Sequence, residues 1–326
     1  MICSNYNQLY HPLATVIGWC LPSVNPNLKT ISKGTPVAFP PYSMKILGIV
    51  TLYNPPKEVG ENLSSYAPFL DGLYLWDNTA GGSNVDSLLP PEVAKRVLMH
   101  RRGRNVGIAM ALNAAIDLAL KEGYTHLLTM DQDSRFKEGT FQAYLRDVEA
   151  DTDDKHWAFC PLINRDAQSR QPLKPLKGLI VSGTILTRNC LEKVGRFFEP
   201  FVIDTLDTEY AFRILRDGGQ IMLSSSGSLT HSLGQPLRRN FLCFHPVSLN
   251  YSPMRTYYIS RNLLYLHRTQ SGFSRPDLLK ALVWKRPLYI LLMEGNKWNK
   301  IVAWTRGVWQ GWRRKLGPDP FFSRLS

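Results

Sequence analysis

The stretch Thr125-His-Leu-Leu-Thr-Met-Asp-Gln-Asp-Ser134 decides the fold class. Its first six residues are mostly apolar and rich in strand formers, too short for a core helix, so they read as a buried strand, Thr125 to Met130. The run then stops in two carboxylates set two positions apart. Working outward, the same pattern of a short apolar run with a polar stop recurs. Lys45-Ile-Leu-Gly-Ile-Val-Thr-Leu-Tyr53 predicts a strand, followed by Asn54-Pro55-Pro56 opening a helix. Gly72-Leu-Tyr-Leu-Trp-Asp77 predicts a second, running into the turn-rich Asn78-Thr-Ala-Gly-Gly82, and Arg96-Val-Leu-Met99 a third. Val106 to Lys121 carries Ala and Leu at helical spacing, with Asn105 as its cap. Strands alternating with helices give an α/β fold, a mostly parallel sheet flanked by helices with right-handed crossovers. Ligands of such sheets sit beyond the carboxyl ends of the strands. Asn54, Asp77-Asn78 and Asp131-Gln132-Asp133-Ser134 all fall there.

Composition sets the outer bounds. With 326 residues, 44% hydrophobic and 20% charged, the chain can bury a sizeable core, which excludes disordered and fibrous classes. No window reaches the length of apolar run that crosses a membrane. Five scattered cysteines without a CxxC pair argue against a disulfide framework or a zinc site, leaving a reducing compartment as the default. No GxGxxG and no GxxxxGK[ST] is present, which disfavours a dinucleotide-binding domain and a P-loop. Residues 1–43 hold only Lys29 and Lys33 as charges and read as an irregular extension, with Met44 an alternative start. The organised domain runs over 44–250, and a basic, Trp-rich helical region over 251–326.

The net charge of +13 is concentrated in that last region. From Arg255 onward there are 14 Lys and Arg against three acids, together with five of the eight tryptophans. Pro253 to Leu266, Asp277 to Met293 and Trp298 to Trp312 read as helices, the second interrupted by Pro287. Leu278, Leu279, Leu282, Val283, Leu288, Leu291 and Leu292 are expected on one side of it. Basic charge interleaved with indole suits an anionic bilayer surface. Packing against the catalytic domain is the alternative, above all for the first helix, whose Arg255, Arg261 and Asn262 could face the site. Nucleic acid is disfavoured because no recognised motif accompanies the charge.

Several residues carry chemistry. Asp131 and Asp133 can face one point across a tight turn and suit a hard cation, Mg²⁺ or Mn²⁺, completed by water and phosphate oxygens. Taken alone, such a pair is more often a simple turn. Asp77 could accept the N3–H of a pyrimidine, or merely initiate the turn before Gly81-Gly82. In Asp204-Thr-Leu-Asp207-Thr-Glu209-Tyr-Ala-Phe-Arg213, Thr205 reads as a helix cap, placing Asp207 and Glu209 in the first turn, where acids are favoured anyway. The functional alternative makes Asp207 a general base with Arg213 orienting the cluster by ion pairing. His231 could ligate the metal or touch a pyrophosphate.

Taken together, these segments resemble the family 2 glycosyltransferases of GT-A fold, most closely their bacterial rhamnosyltransferase branch. The match runs in order from about Lys45 to Leu266. It comprises Ile49-Val-Thr51-Leu-Tyr53-Asn54, Trp76-Asp-Asn78, Asn105-Val-Gly107-Ile-Ala-Met-Ala-Leu-Asn113, Met130-Asp-Gln132-Asp-Ser134 and Val181-Ser182-Gly183-Thr184. It continues through Phe201 to Arg213, His231-Ser-Leu-Gly234, Pro253 to Tyr258 and Arg261 to Leu266. The resemblance implies a nucleotide-sugar donor with its pyrimidine near Asp77 and its diphosphate bridged by Mg²⁺ or Mn²⁺ to Asp133, with Asp131 nearby. His231 is a further implied ligand. Donor contacts are expected from Thr51, Tyr53, Asn54, Asp77, Asn105, Gly107, Asn113, Asp131, Gln132, Ser182, Gly183 and Arg261. Asp207 stands at the family's base position, supported by Glu209 and Arg213. The branch implies dTDP-L-rhamnose, inversion at the anomeric carbon, and a polyprenyl-linked or polysaccharide acceptor in cell-surface glycan synthesis. The basic, Trp-rich tail and the cysteine pattern lead to the expectation of a cytoplasmic enzyme held peripherally at the inner face of the plasma membrane. Thr205-Leu206 departs from a more usual aromatic and Val, and Phe197-Phe198-Glu199 from a Gly/Asp-rich turn. A nucleotidyltransferase would show a Gly- and Lys/Arg-rich phosphate loop where Asn54-Pro-Pro-Lys-Glu-Val stands. A non-catalytic scaffold would have lost the metal acids or the base, and all three acids are present.

Overall fold

The computed structural model describes residues 44–168, 173–232, 236–238, 246–273 and 276–321. The extension 1–43, the Leu233-Gly234 end of the histidine segment and Arg275 lie outside them. The strands are β1 (Ile46–Leu52), β2 (Gly72–Asp77), β3 (Val97–Arg101), β4 (His126–Asp131), β5 (Arg135–Phe136), β6 (His156–Ile163), β7 (Lys174–Leu176), β8 (Thr184–Thr187), β9 (Gln220–Thr230), β10 (Leu237–Arg238) and β11 (Val247–Ser248). The helices are α1 (Val59–Ser64), α2 (Pro91–Ala94), α3 (Ile108–Lys121), α4 (Thr140–Ala150), α5 (Arg188–Lys193), α6 (Leu206–Arg216), α7 (Pro253–Thr269), α8 (Pro276–Lys280), α9 (Arg286–Leu292) and α10 (Lys297–Trp312).

The main sheet runs β3-β2-β1-β4-β8-β6-β9-β5, with β7 also on β9. Its longer pairings, β1 with β2 and β4, β2 with β3, and β6 with β9, are parallel. β8 lies antiparallel between β4 and β6. Alternation along each strand divides the core. Leu47, Ile49 and Leu127 enter the layer built with α3, α5 and α6, whereas Ile46, Val50, Leu52, Leu128 and Met130 enter the layer containing α1 and α4. Strands buried on both faces explain the unbroken apolar runs in the sequence.

Three local expectations are corrected. The helix after β1 starts at Val59, not at Pro55, because Asn54 adopts φ 45° and turns the chain before the prolines. Asn105 does not cap α3. Gly107 occupies that position with φ 87°, and Asn105 Oδ1 accepts from its N–H at 3.0 Å. Thr205 sits at the N-cap of α6 in the left-handed region, φ 66°, where its buried hydroxyl makes no capping bond.

The C-terminal helices continue the main core. Ile259, Leu263, Leu264 and Leu266 of α7 pack with Leu278 and Leu282 in the same cluster as α3 and α6. Helix α10 lies close against α7 because Gly307 and Gly311 have no side chain. A Cβ at either would stand 2.5 Å from the Tyr257 or Arg261 carbonyl oxygen. Gly307 meets Tyr257 and Gly311 meets Arg261, four residues on in each helix, so the two helices run in the same direction. Ahead of Pro287 the chain widens into a π-helical turn, Ala281–Lys285, as expected where proline removes an N–H and its ring crowds the preceding turn. This rotates the leucines apart. Leu278 and Leu282 are buried, while Val283, Leu288, Leu291 and Leu292 face outward, so the single apolar face expected from sequence is divided between two sides. Among the described residues, no helix is long and apolar enough to cross a membrane.

Candidate active site

β4 ends at Asp131, and the tight turn that follows, closed by Ser134 N–H on the Asp131 carbonyl at 3.2 Å, brings Asp133 to the same side. β9 delivers His231 one residue past its end. One donor atom from each of Asp131, Asp133 and His231 lies within 4.8 Å of the others. His231 Nε2 is 3.9 Å from Asp131 Oδ2, and Nδ1 is 3.5 Å from Asp133 Oδ1. Two hard carboxylate oxygens and one imidazole, open on one side to solvent, fit Mg²⁺ or Mn²⁺ with positions left for phosphate oxygen or water. The surroundings hold these groups in place. Ser134 Oγ lies 2.8 Å from His231 Nδ1, Ser182 Oγ donates to Ser134 Oγ at 2.7 Å, and Asp131 N–H donates to Ser182 Oγ at 3.2 Å. Such outer hydroxyls set the plane of a ligating ring. Ser134 was not singled out from sequence as an orienting group, and only its place in the turn hinted at it.

Electrostatics bind the cluster to its neighbours. Burial raises the Asp131 carboxyl pKa. His231 opposes that shift, Asp133 and Asp207 add to it, and Arg255 lowers it again. Asp131 nonetheless keeps a third of its side chain open to the cleft. Burial pulls the His231 pKa down, but the carboxylates of Asp133 and Asp131 outweigh burial and leave it above its ordinary value. Asp207, in the first turn of α6, is therefore near enough for its charge to be felt at Asp131. Its Oδ1 accepts from Thr208 N–H at 2.7 Å. Arg255, in the first turn of α7, pairs with Asp204 at 2.6 Å and stands over the Tyr251 ring.

The segment in front of Asp207 is strained. Val202, Asp204 and Thr205 all have φ near +60°, a region that non-glycine residues rarely occupy. What holds it is α7. Asn262 Nδ2 donates to the carbonyls of Phe201, Ile203 and Asp204 at 3.0 to 3.2 Å. Arg261, wholly buried, donates to the carbonyls of Pro200, Phe201 and Gly317. The Arg261 guanidinium, expected at the donor, is engaged inside the protein as a clamp on the loop that leads into Asp207.

The other expected site residues separate by role. Thr51 lies beside Asp131 in register across the β1–β4 pairing. Gln132 exchanges two hydrogen bonds with the Tyr53 backbone, 2.9 and 3.0 Å, tying the acidic turn to the end of β1. Asn54 N–H donates to Thr79 Oγ1 at 2.9 Å. Asp77 fills the turn role. It has no exposed surface, and its oxygens accept from Thr79 N–H and from both N–H and hydroxyl of Ser83. Burial works against its charge, but those donors outweigh it and lower its pKa. Asn113 is buried and brackets Phe197 through both carbonyl and N–H. Gly107 and Gly183 are backbone positions, since a Cβ on Gly107 would meet the Val202 carbonyl at 2.8 Å and one on Gly183 would meet Pro161 at 2.7 Å. Arg213 grips Glu209 with two bonds of 2.6 and 2.8 Å. With Asn113 and Phe197 they line a groove whose lining includes none of Asp131, Asp133 and Asp207. Cys160 and Cys190 are buried free thiols, pushed up by burial to about 11 and about 12, which leaves them unreactive.

No protein-family model matches the chain. The dTDP-rhamnosyl transferase RfbF of Shigella flexneri is 25% identical over 242 residues, covering 68% of this chain and 80% of that protein. Among solved structures, S. aureus TarS residues 1–349 in complex with UDP-GlcNAc aligns with a TM-score of 0.50 at 14% identity, over 81% of this chain and 82% of that one. GalNAc-T7 with UDP, GalNAc and Mn²⁺ aligns with a TM-score of 0.50 at 10% identity, over 77% of this chain but only 51% of that one. With the strand order and the acid–acid–histidine cluster already in view, these likenesses give the chain the GT-A glycosyltransferase fold and a relationship in sequence to a dTDP-rhamnosyl transferase.

Proposed function

We propose that the protein transfers L-rhamnose from dTDP-L-rhamnose to a hydroxyl of a lipid-linked or polysaccharide acceptor, with inversion, in the synthesis of a cell-surface glycan. The observation that carries the reading is the convergence of Asp131, Asp133 and His231 at the ends of β4 and β9 with Asp207 in electrostatic reach. Asp131, Asp133 and His231 would hold Mg²⁺ or Mn²⁺, which when bound neutralises the charge of a departing diphosphate. The choice of rhamnose leans on the Shigella relative.

In this reading Asp207 accepts the proton of the acceptor hydroxyl. The freed oxygen forms a bond to the anomeric carbon from the face opposite the diphosphate, while the carbon–oxygen bond to dTDP breaks and its electron pair leaves with the nucleotide. One base suffices, because no protein nucleophile intervenes. Arg261 and Asn262 fix the loop that aims Asp207, and Arg255 adds positive charge on the same side. The acceptor chemistry places the enzyme in the cytoplasm, peripherally at the inner face of the plasma membrane.

A panel of nucleotide sugars with purified protein and Mg²⁺ or Mn²⁺, read as released nucleoside diphosphate, tests the proposal. Release is expected from dTDP-L-rhamnose and is expected to vanish in excess EDTA. Preference for a UDP-sugar would overturn the donor, and full turnover in EDTA the metal site.

A further inference from the structure

The π-turn, α9 and the first turn of α10 push large apolar side chains into solvent. Trp284 is 76% exposed, Leu288 50%, Leu291 and Leu292 52% each, and Trp298 77%. These side chains are contributed by one short run of chain, whereas the leucines that serve the core, Leu278 and Leu282, are buried. Around them Lys280, Lys285 and Lys297 are exposed. The acids of the region are turned away from solvent: Glu294 and Asp319 are each 2% exposed and Asp277 is half-buried. Among the described residues from 276 to 321, therefore, the exterior offers cations and apolar groups but no exposed carboxylate.

We propose that this facet docks on an anionic phospholipid bilayer, with Trp284 and Trp298 in the headgroup region, the three leucines at the acyl boundary and the lysines on the lipid phosphates. Charge decides the occupant. A second copy would bring one cationic facet against another, which repels. Nucleic acid would use the lysines and could stack on the indoles, but Leu288, Leu291 and Leu292 offer nothing to a phosphate backbone. A bilayer surface satisfies all three residue classes at once.

The facet is also pinned close to the catalytic cleft. Buried Glu294 is held by Arg286 at 2.6 Å, Lys300 at 2.8 Å and Ser248. Arg286 also donates to Thr256 Oγ1 at 2.7 Å, and Lys300 to Asn250 at 2.6 Å. Thr256 adjoins Arg255, whose charge is felt at Asp131 and His231. A bilayer under α9 would thus lie beside the mouth of the site, where a lipid-linked acceptor emerges. That use rests on the proposed function; the docking does not, and its test involves no turnover.

Full-length protein is floated with vesicles of phosphatidylcholine alone and of phosphatidylcholine with phosphatidylglycerol. Binding is expected only to the anionic vesicles, weakening with added salt. Each lysine removed weakens partition about fivefold, so Lys280→Gln, Lys285→Gln and Lys297→Gln together lower it roughly a hundredfold. Trp284→Ala with Trp298→Ala, at exposed positions that leave the core intact, is expected to abolish flotation while the melting temperature holds. The proposal is overturned by protein that stays at the bottom of a low-salt gradient with anionic vesicles, or by flotation that the Trp pair leaves undiminished. It is equally overturned by a dimer in sedimentation that the Trp pair dissociates, or by duplex DNA binding that the lysine variants remove while vesicles are ignored.

Discussion

Asp207→Asn separates the two readings of the α6 acids by orders of magnitude. As a cap, Asp207 contributes its charge to the first turn, worth about 1 kcal/mol or less. Asparagine keeps an oxygen for the 2.7 Å bond from Thr208 N–H. The variant should thus melt within a few degrees of the parent. As a base, its loss removes proton transfer from the acceptor hydroxyl, a factor of roughly 10²–10⁴ in turnover, or about 3–5 kcal/mol in the barrier. The structure adds a sign that a merely damaged protein would not give. The Asp207 charge helps to raise the Asp131 pKa, so removing it lets Asp131 ionise at lower pH and shifts the acid loss of Mn²⁺ binding downward, while the lost negative charge weakens that binding only slightly at neutral pH. Three readouts check this together: nucleoside diphosphate release with acceptor, calorimetric donor binding, and Mn²⁺ titration followed by electron spin resonance. A folded variant that binds donor and Mn²⁺ yet turns over near the parental rate would refute Asp207 as base.

The remaining expectations concern the metal cluster and its supports. Asp133→Ala should lose Mn²⁺ binding with no loss of fold, since Asp133 is exposed; unchanged affinity would remove it from the ligand set. Mn²⁺ affinity should fall as pH drops through a value above the ordinary 6.5, because a proton on His231, favoured by Asp133 and Asp131, competes with the ion; a flat titration between neutral and mildly acidic pH would argue against histidine ligation. Glu294 has a depressed pKa because Arg286 and Lys300 outweigh its burial, so its contribution to stability is present above its unfolded pKa and is lost as acid drives the pH through the lower folded one; Glu294→Gln should flatten the acid limb of the stability curve. Gly307→Ala should cost about 1–3 kcal/mol, read from urea unfolding, because its Cβ meets backbone 2.5 Å away and not a side chain that can yield.

How much was legible in the sequence follows from which signals are local. The ends of the apolar runs located β1 to β4 to within a residue or two, because a strand inside a sheet must be largely apolar, while β5 to β11 went unread. Pro287 announced an interruption, but not that a π-turn would turn one leucine stripe into a buried pair and an exposed trio; that depends on what α7 and α10 leave room for. Arg261, Asp77 and Asn113, all expected at the donor, share one structural feature. Each is a polar group capable of contacting a ligand, and each has its hydrogen bonds taken by backbone from a distant part of the chain or from its own turn: Arg261 by Pro200, Phe201 and Gly317, Asn113 by Phe197, Asp77 by Thr79 and Ser83. A buried polar group must find partners, and sequence does not say whether those partners are ligand or loop. The strained φ values of Val202, Asp204 and Thr205 show what the clamps are for. A loop with three residues in a disfavoured region stays put only when its carbonyls are over-determined from outside, and Arg261 and Asn262 supply that hold. Arg261, which the resemblance would hand to the donor, thus helps to fix where α6 begins and therefore where Asp207 points.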